Sequence, residues 1–271
     1  SAIRIYRTII IDAVQWSGMT KTEAALKAPK TTFEIIDALK EYNGATVTEL
    51  SDRFDMPTST VHDYLQTLEN QEYLVKEDGV YRVGARFLEL GEQVRNRKKV
   101  FSISRPEIDA LANETGEHSN LLIEEHGRGV FLYKSRGEKA VQLDTHAGMR
   151  VHLQTTALGK AIMAFRPRPE VESILDTHGI PEITDKTITD REALFDELEE
   201  IRETGVSFDD EERVSGMRCV AAPITDEDNR AIAALSVSGL KSRMLGDTFT
   251  EEIPEMVQKS ANLVEVNLTY S

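Results

Sequence analysis

The sequence predicts an α+β protein in two parts, a small helical domain closed by a β-hairpin and a larger domain built on an antiparallel sheet. Three observations lead there. Residues 31–84 read as three short helices and a hairpin, with a tight turn between the second and third helices. From residue 104 onward, strand-like runs in pairs alternate with helical segments. A chain of 271 residues is also long for one core and comfortable for two. The expected boundaries are an N-terminal extension over 1–30, the helical domain with its hairpin over 31–84, a linker helix over 85–103 and the sheet domain over 104–271.

The first helix is expected from Thr31, where Phe33, Ile35, Ile36 and Leu39 fall at helical spacing through Tyr42 and Asn43-Gly44 stops the run. Val47–Phe54 reads as a second, short helix. Asp55-Met56-Pro57 then makes a turn, and Pro57 stands where a helix can begin without its missing N–H. The third helix spans Thr58 to about Asn70, with Val61, Tyr64, Leu65 and Leu68 as its buried stripe. Its other face opens with Thr58, Ser59, Thr60, His62 and Asp63, and Gln66 follows one turn on. Tyr73–Lys76 and Val80–Val83 flank Asp78-Gly79, a strong hairpin signal. This order of elements is a winged helix-turn-helix. Its third helix fits the major groove, where small polar residues in the first turn reach base edges and phosphates. Lys76 and Arg82 on the wing supply cations for the phosphate backbone.

Phe87–Arg97 is expected to connect the two parts as a helix, ending in the basic group Arg95, Arg97, Lys98 and Lys99. That group reads either as a phosphate contact or as a solvated face. Beyond it, Ile108, Leu111 and Ala112 mark one helix face. Ser119–Glu125 and Val130–Ser135 read as strands around a turn at His126–Gly129, and Asp190–Thr204 as a helix stopped by Gly205. Cys219–Ile224 and Ala231–Ser238 read as strands around the polar turn Asp226–Arg230. Thr250–Leu268 closes the chain as a helix.

Charge is unevenly spread. The net charge is −15, with 32 basic and 47 acidic residues. Residues 101–271 hold 18 of those basic residues and 32 of the acidic ones, net −14, whereas residues 19–100 hold 12 and 14, net −2. The overall acidity, taken alone, argues against nucleic acid as a partner; its concentration in the C-terminal part removes the objection. So many carboxylates with few lysines point to a protein kept soluble at very high salt, and operator binding is expected to depend only shallowly on KCl. Residues 1–18 carry a single acid, and the acid-rich sequence begins near Met19. Two readings of that break stand side by side: a natural start at Met19 with an added upstream stretch, or an ordinary extension. Ile9-Ile10-Ile11 is too short for a signal-peptide core, and no stretch approaches the roughly 20 apolar residues of a membrane span. With a single cysteine, Cys219, a reducing cytoplasm is expected.

Several runs together resemble the IclR family of transcription regulators. In the N-terminal part they are Glu49-Leu50-Ser51, Ser59-Thr60-Val61-His62, Tyr73-Leu74 and Tyr81-Arg82-Val83-Gly84. In the C-terminal part they are Thr156–Ala161, Gly205-Val206-Ser207, Asp209–Glu212 leading to Gly216–Pro223, and Ala233–Gly239. The likeness runs in order from about Thr31 to Leu268, and Asp209–Pro223 is its most specific piece. Combined with the acidity, it implies a source among halophilic archaea. One departure stands out: family members often carry a basic residue where this chain has Asp63. The resemblance implies a GAF-like C-terminal domain, its antiparallel sheet flanked by helices, holding a small polar effector such as a carboxylate or sugar derivative. The effector residues it implies are Ala157 and Leu158, whose amides can meet an anion at a helix N-terminus, with Asp209, Cys219, Ser236 and Ser238. The last two are two apart on a strand and therefore share a face. A homodimer or tetramer on double-stranded DNA carrying an inverted-repeat operator completes the expectation.

Other function classes fit the residues less well. Cys219 has no local signature of a nucleophile with His118, His126, His146, His152 or His178, so no enzyme is expected. No pair of His or Cys has zinc-ligand spacing, and neither metal nor cofactor is expected. The remaining alternative is a ligand-binding protein-interaction module without specific DNA binding, which an operator-binding assay separates.

Overall fold

Helix starts and stops are set by local chemistry in the N-terminal unit of the computed structural model, which describes residues 26–143 and 145–270. Residues 1–18 and Met19 lie outside the described residues. The unit contains α1 (Lys27–Glu41), α2 (Val47–Phe54), α3 (Thr58–Asn70), β1 (Leu74–Glu77), β2 (Val80–Val83) and α4 (Arg86–Asn96). Thr46 caps α2: its side chain accepts from the Glu49 N–H while the Glu49 carboxylate accepts from the Thr46 N–H at 2.7 Å. Asp55 ends α2 in the left-handed conformation, and Pro57 stands immediately before α3. Leu50, Val61 and Leu65 are fully buried with Ile35, Leu39 and Tyr81 in one core. The wing closes at Asp78-Gly79, both with positive φ, as a two-residue hairpin needs. Ala45 pairs with Tyr81 on the outer side of β2. Gly44 beside it has φ +110°, a backbone conformation that other residues rarely adopt.

Two details differ from the sequence reading. Helix α1 begins at Lys27 rather than Thr31, and Phe33 is 65% exposed, so the buried stripe is Thr31, Ile35, Ala38 and Leu39. The single linker helix over 85–103 is two helices. Helix α4 ends at Asn96, Lys98 is extended, and α5 (Lys99–Thr115) starts anew. The chain divides into its two compact units between Arg97 and Lys98. Val100, Phe101 and Ser104 of α5 are buried, so this helix belongs to the second core while α4 buries no residue.

In the C-terminal unit, six strands form one antiparallel sheet in the order β5 (Arg150–His152), β4 (Arg128–Arg136), β3 (His118–Glu125), β8 (Ala231–Leu240), β7 (Met217–Thr225) and β6 (Ser207–Asp210). Side chains alternate between its faces. Leu121, Ile123, Val220, Ala222, Leu235 and Val237 pack on one side with α5 and α9 (Ile253–Thr269). Leu122, Ala221 and Ala234 pack on the other with α6 (Ala157–Ala164), α7 (Arg168–His178) and α8 (Arg191–Thr204). Helix α8 is capped by the Asp190 carboxylate and ended by a left-handed Gly205. The C-terminal helix starts as a π-helical turn over Thr248–Glu252 before becoming α-helical at Ile253.

Candidate DNA-binding face and ligand pocket

Helix α3 turns Val61, Leu65 and Leu68 inward, which leaves Thr58, Ser59, His62, Asp63 and Gln66 exposed and Thr60 half-buried. The six polar positions read from the sequence therefore lie on or beside the free face of one helix. No acid other than Asp63 stands in its first six residues, and His62 Nδ1 lies 4.0 Å from the Asp63 carboxylate. On the wing, Lys76 is exposed with its ammonium 4.9 Å from the Tyr81 ring centre. Arg82 also braces the fold. It donates to the Asn43 carbonyl at 2.7 Å and faces Glu77 at 3.4 Å, tying the wing to the end of α1.

The sheet register explains the second site. Across β6, β7 and β8, Asp209 pairs with Cys219 and Cys219 with Ser238, while Asn120 on β3 pairs with Ser236. Four strands thereby bring residues far apart in sequence onto the face that looks toward α6. Asn120 Nδ2 donates to Ser236 Oγ at 3.3 Å and to Ser238 Oγ at 3.2 Å. The pocket there is a small cavity of about 40 Å³ that opens to solvent. Asn120, Asp209, Cys219, Ser238 and Leu158 are in its wall, with Phe131, Thr145 and Arg213 among the others. Ser236 is fully buried behind Asn120, and Ala157 is fully buried in the first turn of α6. That turn's first amides have no acceptor within the helix; the Thr156 hydroxyl accepts from Gly159 N–H at 2.9 Å. Gly159 is obligatory, because a Cβ would stand 2.1 Å from the Leu153 carbonyl oxygen.

Beneath the pocket lies a charge cluster that the sequence does not reveal. Lys160 is fully buried, and its ammonium is bonded to both Glu197 and Glu212. Burial alone would lower its pKa, but the two carboxylates outweigh that and hold the ammonium raised. Asp209 adds a third carboxylate, accepting from the Glu212 N–H at 2.8 Å. Lys160, with Arg213 acting on Asp209, offsets these charges only in part, and burial pushes Asp209 up to about 6 and Glu212 up to about 7. Cys219 is pushed up to about 12 by burial and by the Asp209 carboxylate, which keeps it a thiol at neutral pH. Of the histidines weighed with it, His118 is bonded to the Val141 carbonyl and His178 to the His126 carbonyl. Among the described residues, no group of three or more His, Cys, Asp or Glu is placed to hold a metal ion, and no helix is long and apolar enough to cross a membrane.

Comparison with known proteins matches both parts. Residues 31–78 match the family described as the IclR helix-turn-helix domain, and residues 92–266 match the bacterial transcriptional regulator IclR C-terminal family. The "Probable HTH-type transcriptional regulator ArcR" of Halobacterium salinarum is 35% identical over 240 residues, covering 87% of this chain and 91% of its own. The crystal structure of the Thermotoga maritima IclR is 31% identical with a TM-score of 0.75, covering 89% of this chain and 98% of that one. A Microbacterium hydrocarbonoxydans IclR homologue complexed with 4-hydroxybenzoate shares the fold, with a TM-score of 0.72 at 23% identity over 84% of this chain and 92% of its own.

Proposed function

The chain belongs to the IclR family of transcription regulators, and from that premise we propose how its two sites work together in the cytoplasm. Helix α3 enters the major groove with Thr58, Ser59, Thr60, His62, Asp63 and Gln66 toward the bases. Lys76 and Arg82 hold the flanking phosphates. The C-terminal pocket takes a small carboxylate or sugar acid, its anionic end at the Ala157 and Leu158 amides and its polar groups at Asp209, Cys219, Ser236 and Ser238. The 4-hydroxybenzoate complex shows a carboxylic acid with a protein of this fold. Binding changes operator affinity because the ligand favours one arrangement of the recognition helices over another; without that differential affinity it shifts nothing. The chain carries out no catalysis and needs no cofactor. Its acidity, like its similarity to a Halobacterium regulator, fits a haloarchaeal source.

The observation that carries this reading is the register that lines up Asp209, Cys219 and Ser238 in a pocket wall, in a chain whose α3 presents a free polar face. One recognition helix per chain calls for at least a homodimer, and a tetramer is the other arrangement proposed. Helix α4 offers an apolar stripe for a second copy, since Leu90 and Val94, one turn apart on the same face, are exposed. Footprinting is therefore expected to show an inverted repeat with half-site centres about one helical turn apart, or a multiple of it. Protection of a single asymmetric half-site contradicts the dimer.

A further inference from the structure

Asn120 holds an acceptor that the protein leaves without a partner. The residue is only 4% exposed, lies in the pocket wall, and its Oδ1 has no hydrogen-bond partner among the described residues. A buried amide oxygen left unpaired is costly, and native structures keep few of them without a purpose. The amide is turned with Nδ2 toward the two serines and Oδ1 away from them. Ser236 Oγ accepts from Asn120 Nδ2 at 3.3 Å. Nδ2 also serves Ser238, which spends both amide hydrogens on the serines and leaves the Ser238 hydroxyl hydrogen to donate. The pocket thus combines donors for an anion, namely the first amides of α6 and the Ser238 hydroxyl, with one buried acceptor that needs a hydrogen.

We propose that Asn120 is a specificity-determining residue of the pocket, and that the effector is a small hydroxy acid whose hydroxyl donates to Asn120 Oδ1 while its carboxylate meets the α6 amides. This rests on the pocket reading above and narrows it from polar acids in general to acids carrying a hydroxyl. A plain acid would leave Oδ1 unpaired. An oxo acid would set a carbonyl oxygen against it, acceptor to acceptor. Sites built to receive a substrate hydroxyl reject analogues without one far more strongly than apolar pockets reject a missing methylene.

The test is calorimetry on the full chain in molar KCl with matched probes: glycolate and lactate, acetate and propionate, glyoxylate and pyruvate. At least one hydroxy acid is expected to bind at least about tenfold more tightly than its plain and oxo counterparts. In Asn120→Leu, which loses the acceptor along with the bonds to Ser236 and Ser238, the ratio of hydroxy-acid to plain-acid affinity should collapse toward unity, whatever the change in overall affinity. Asn120→Ala, which removes the same acceptor with less bulk, gives the same readout if the leucine variant does not fold. Equal binding of hydroxy and plain acids would mean that water satisfies Oδ1, and it overturns the proposal. So does tighter binding of the oxo acids, which would place the amide hydrogens toward the ligand, or a preference that survives both substitutions. If none of the six acids binds, the small hydroxy-acid class is wrong. An operator response to some other metabolite would then leave the pocket reading standing, and a chain whose operator affinity answers to no metabolite would sink that reading too.

Discussion

Lys160→Met is expected to destabilise the C-terminal domain by about 3–5 kcal/mol near neutral pH, the range for removing one partner of a buried ion pair. Methionine fills similar volume, so the loss is one of charge rather than packing. Without the ammonium, Glu197, Glu212 and Asp209 face one another on the pocket's underside. Molar salt gives little relief, because screening acts weakly on buried charges. The effect should depend on pH in a definite direction. Asp209 and Glu212 already have raised pKa values in the folded state, near 6 and near 7. Their contribution is fully present below their unfolded values near 4 and is lost as pH rises through 6 to 7. The variant raises them further, so its deficit should be small at pH 5 and full at pH 8. Adding Glu212→Gln should recover part of the loss. Thermal melts of the C-terminal transition at the two pH values check this; an equal deficit at both would mean the cavity, not the charge, matters.

Ser59→Ala combined with Thr60→Ala should weaken specific operator binding by about 1–3 kcal/mol for each good base-reading hydrogen bond removed. The fold should be unaffected, since neither residue belongs to the Val61, Leu65 and Leu68 stripe. Binding to unrelated DNA should change little, because the phosphate-binding cations Lys76 and Arg82 remain. Fluorescence titration with operator and scrambled duplexes separates the two effects. A folded double variant with unchanged operator affinity would show that α3 does not read the bases.

Much of the fold is legible in local sequence. Helix α2 has signals at both ends, a Thr46–Glu49 capping box and a left-handed Asp55, and α3 has Pro57 before its start and a spaced apolar stripe. The hairpin follows from Asp78-Gly79 and α8 from Asp190 and Gly205. Elements with weak local signals escape such a reading. Strands β5 and β6 are too short for alternation to show, whereas α7, absent from the sequence reading, carries Pro169 in its first turn and Gly179 at its end. The break at Arg97-Lys98 is hidden because those residues suit a helix as well as a loop. Asp209, Cys219 and Ser238 are legible through the family likeness. Asn120 is not, because its importance comes from pairing with β8 more than a hundred residues away, a tertiary fact. Burial of Lys160 is equally invisible, since its partners Glu197 and Glu212 come from α8 and the segment after β6.

The most direct measurement is operator affinity across a panel of small carboxylic and sugar acids, in the wild type, in Asp209→Ala, and in Ser236→Ala with Ser238→Ala. At least one acid should shift the wild-type operator affinity. Both variants should bind operator as the free wild type does and should lose that shift, because each deletes polar partners in the pocket wall and touches no residue of α3. A shift of unchanged size in the folded variants, or a wild type that no acid affects, would contradict control of DNA binding from this pocket.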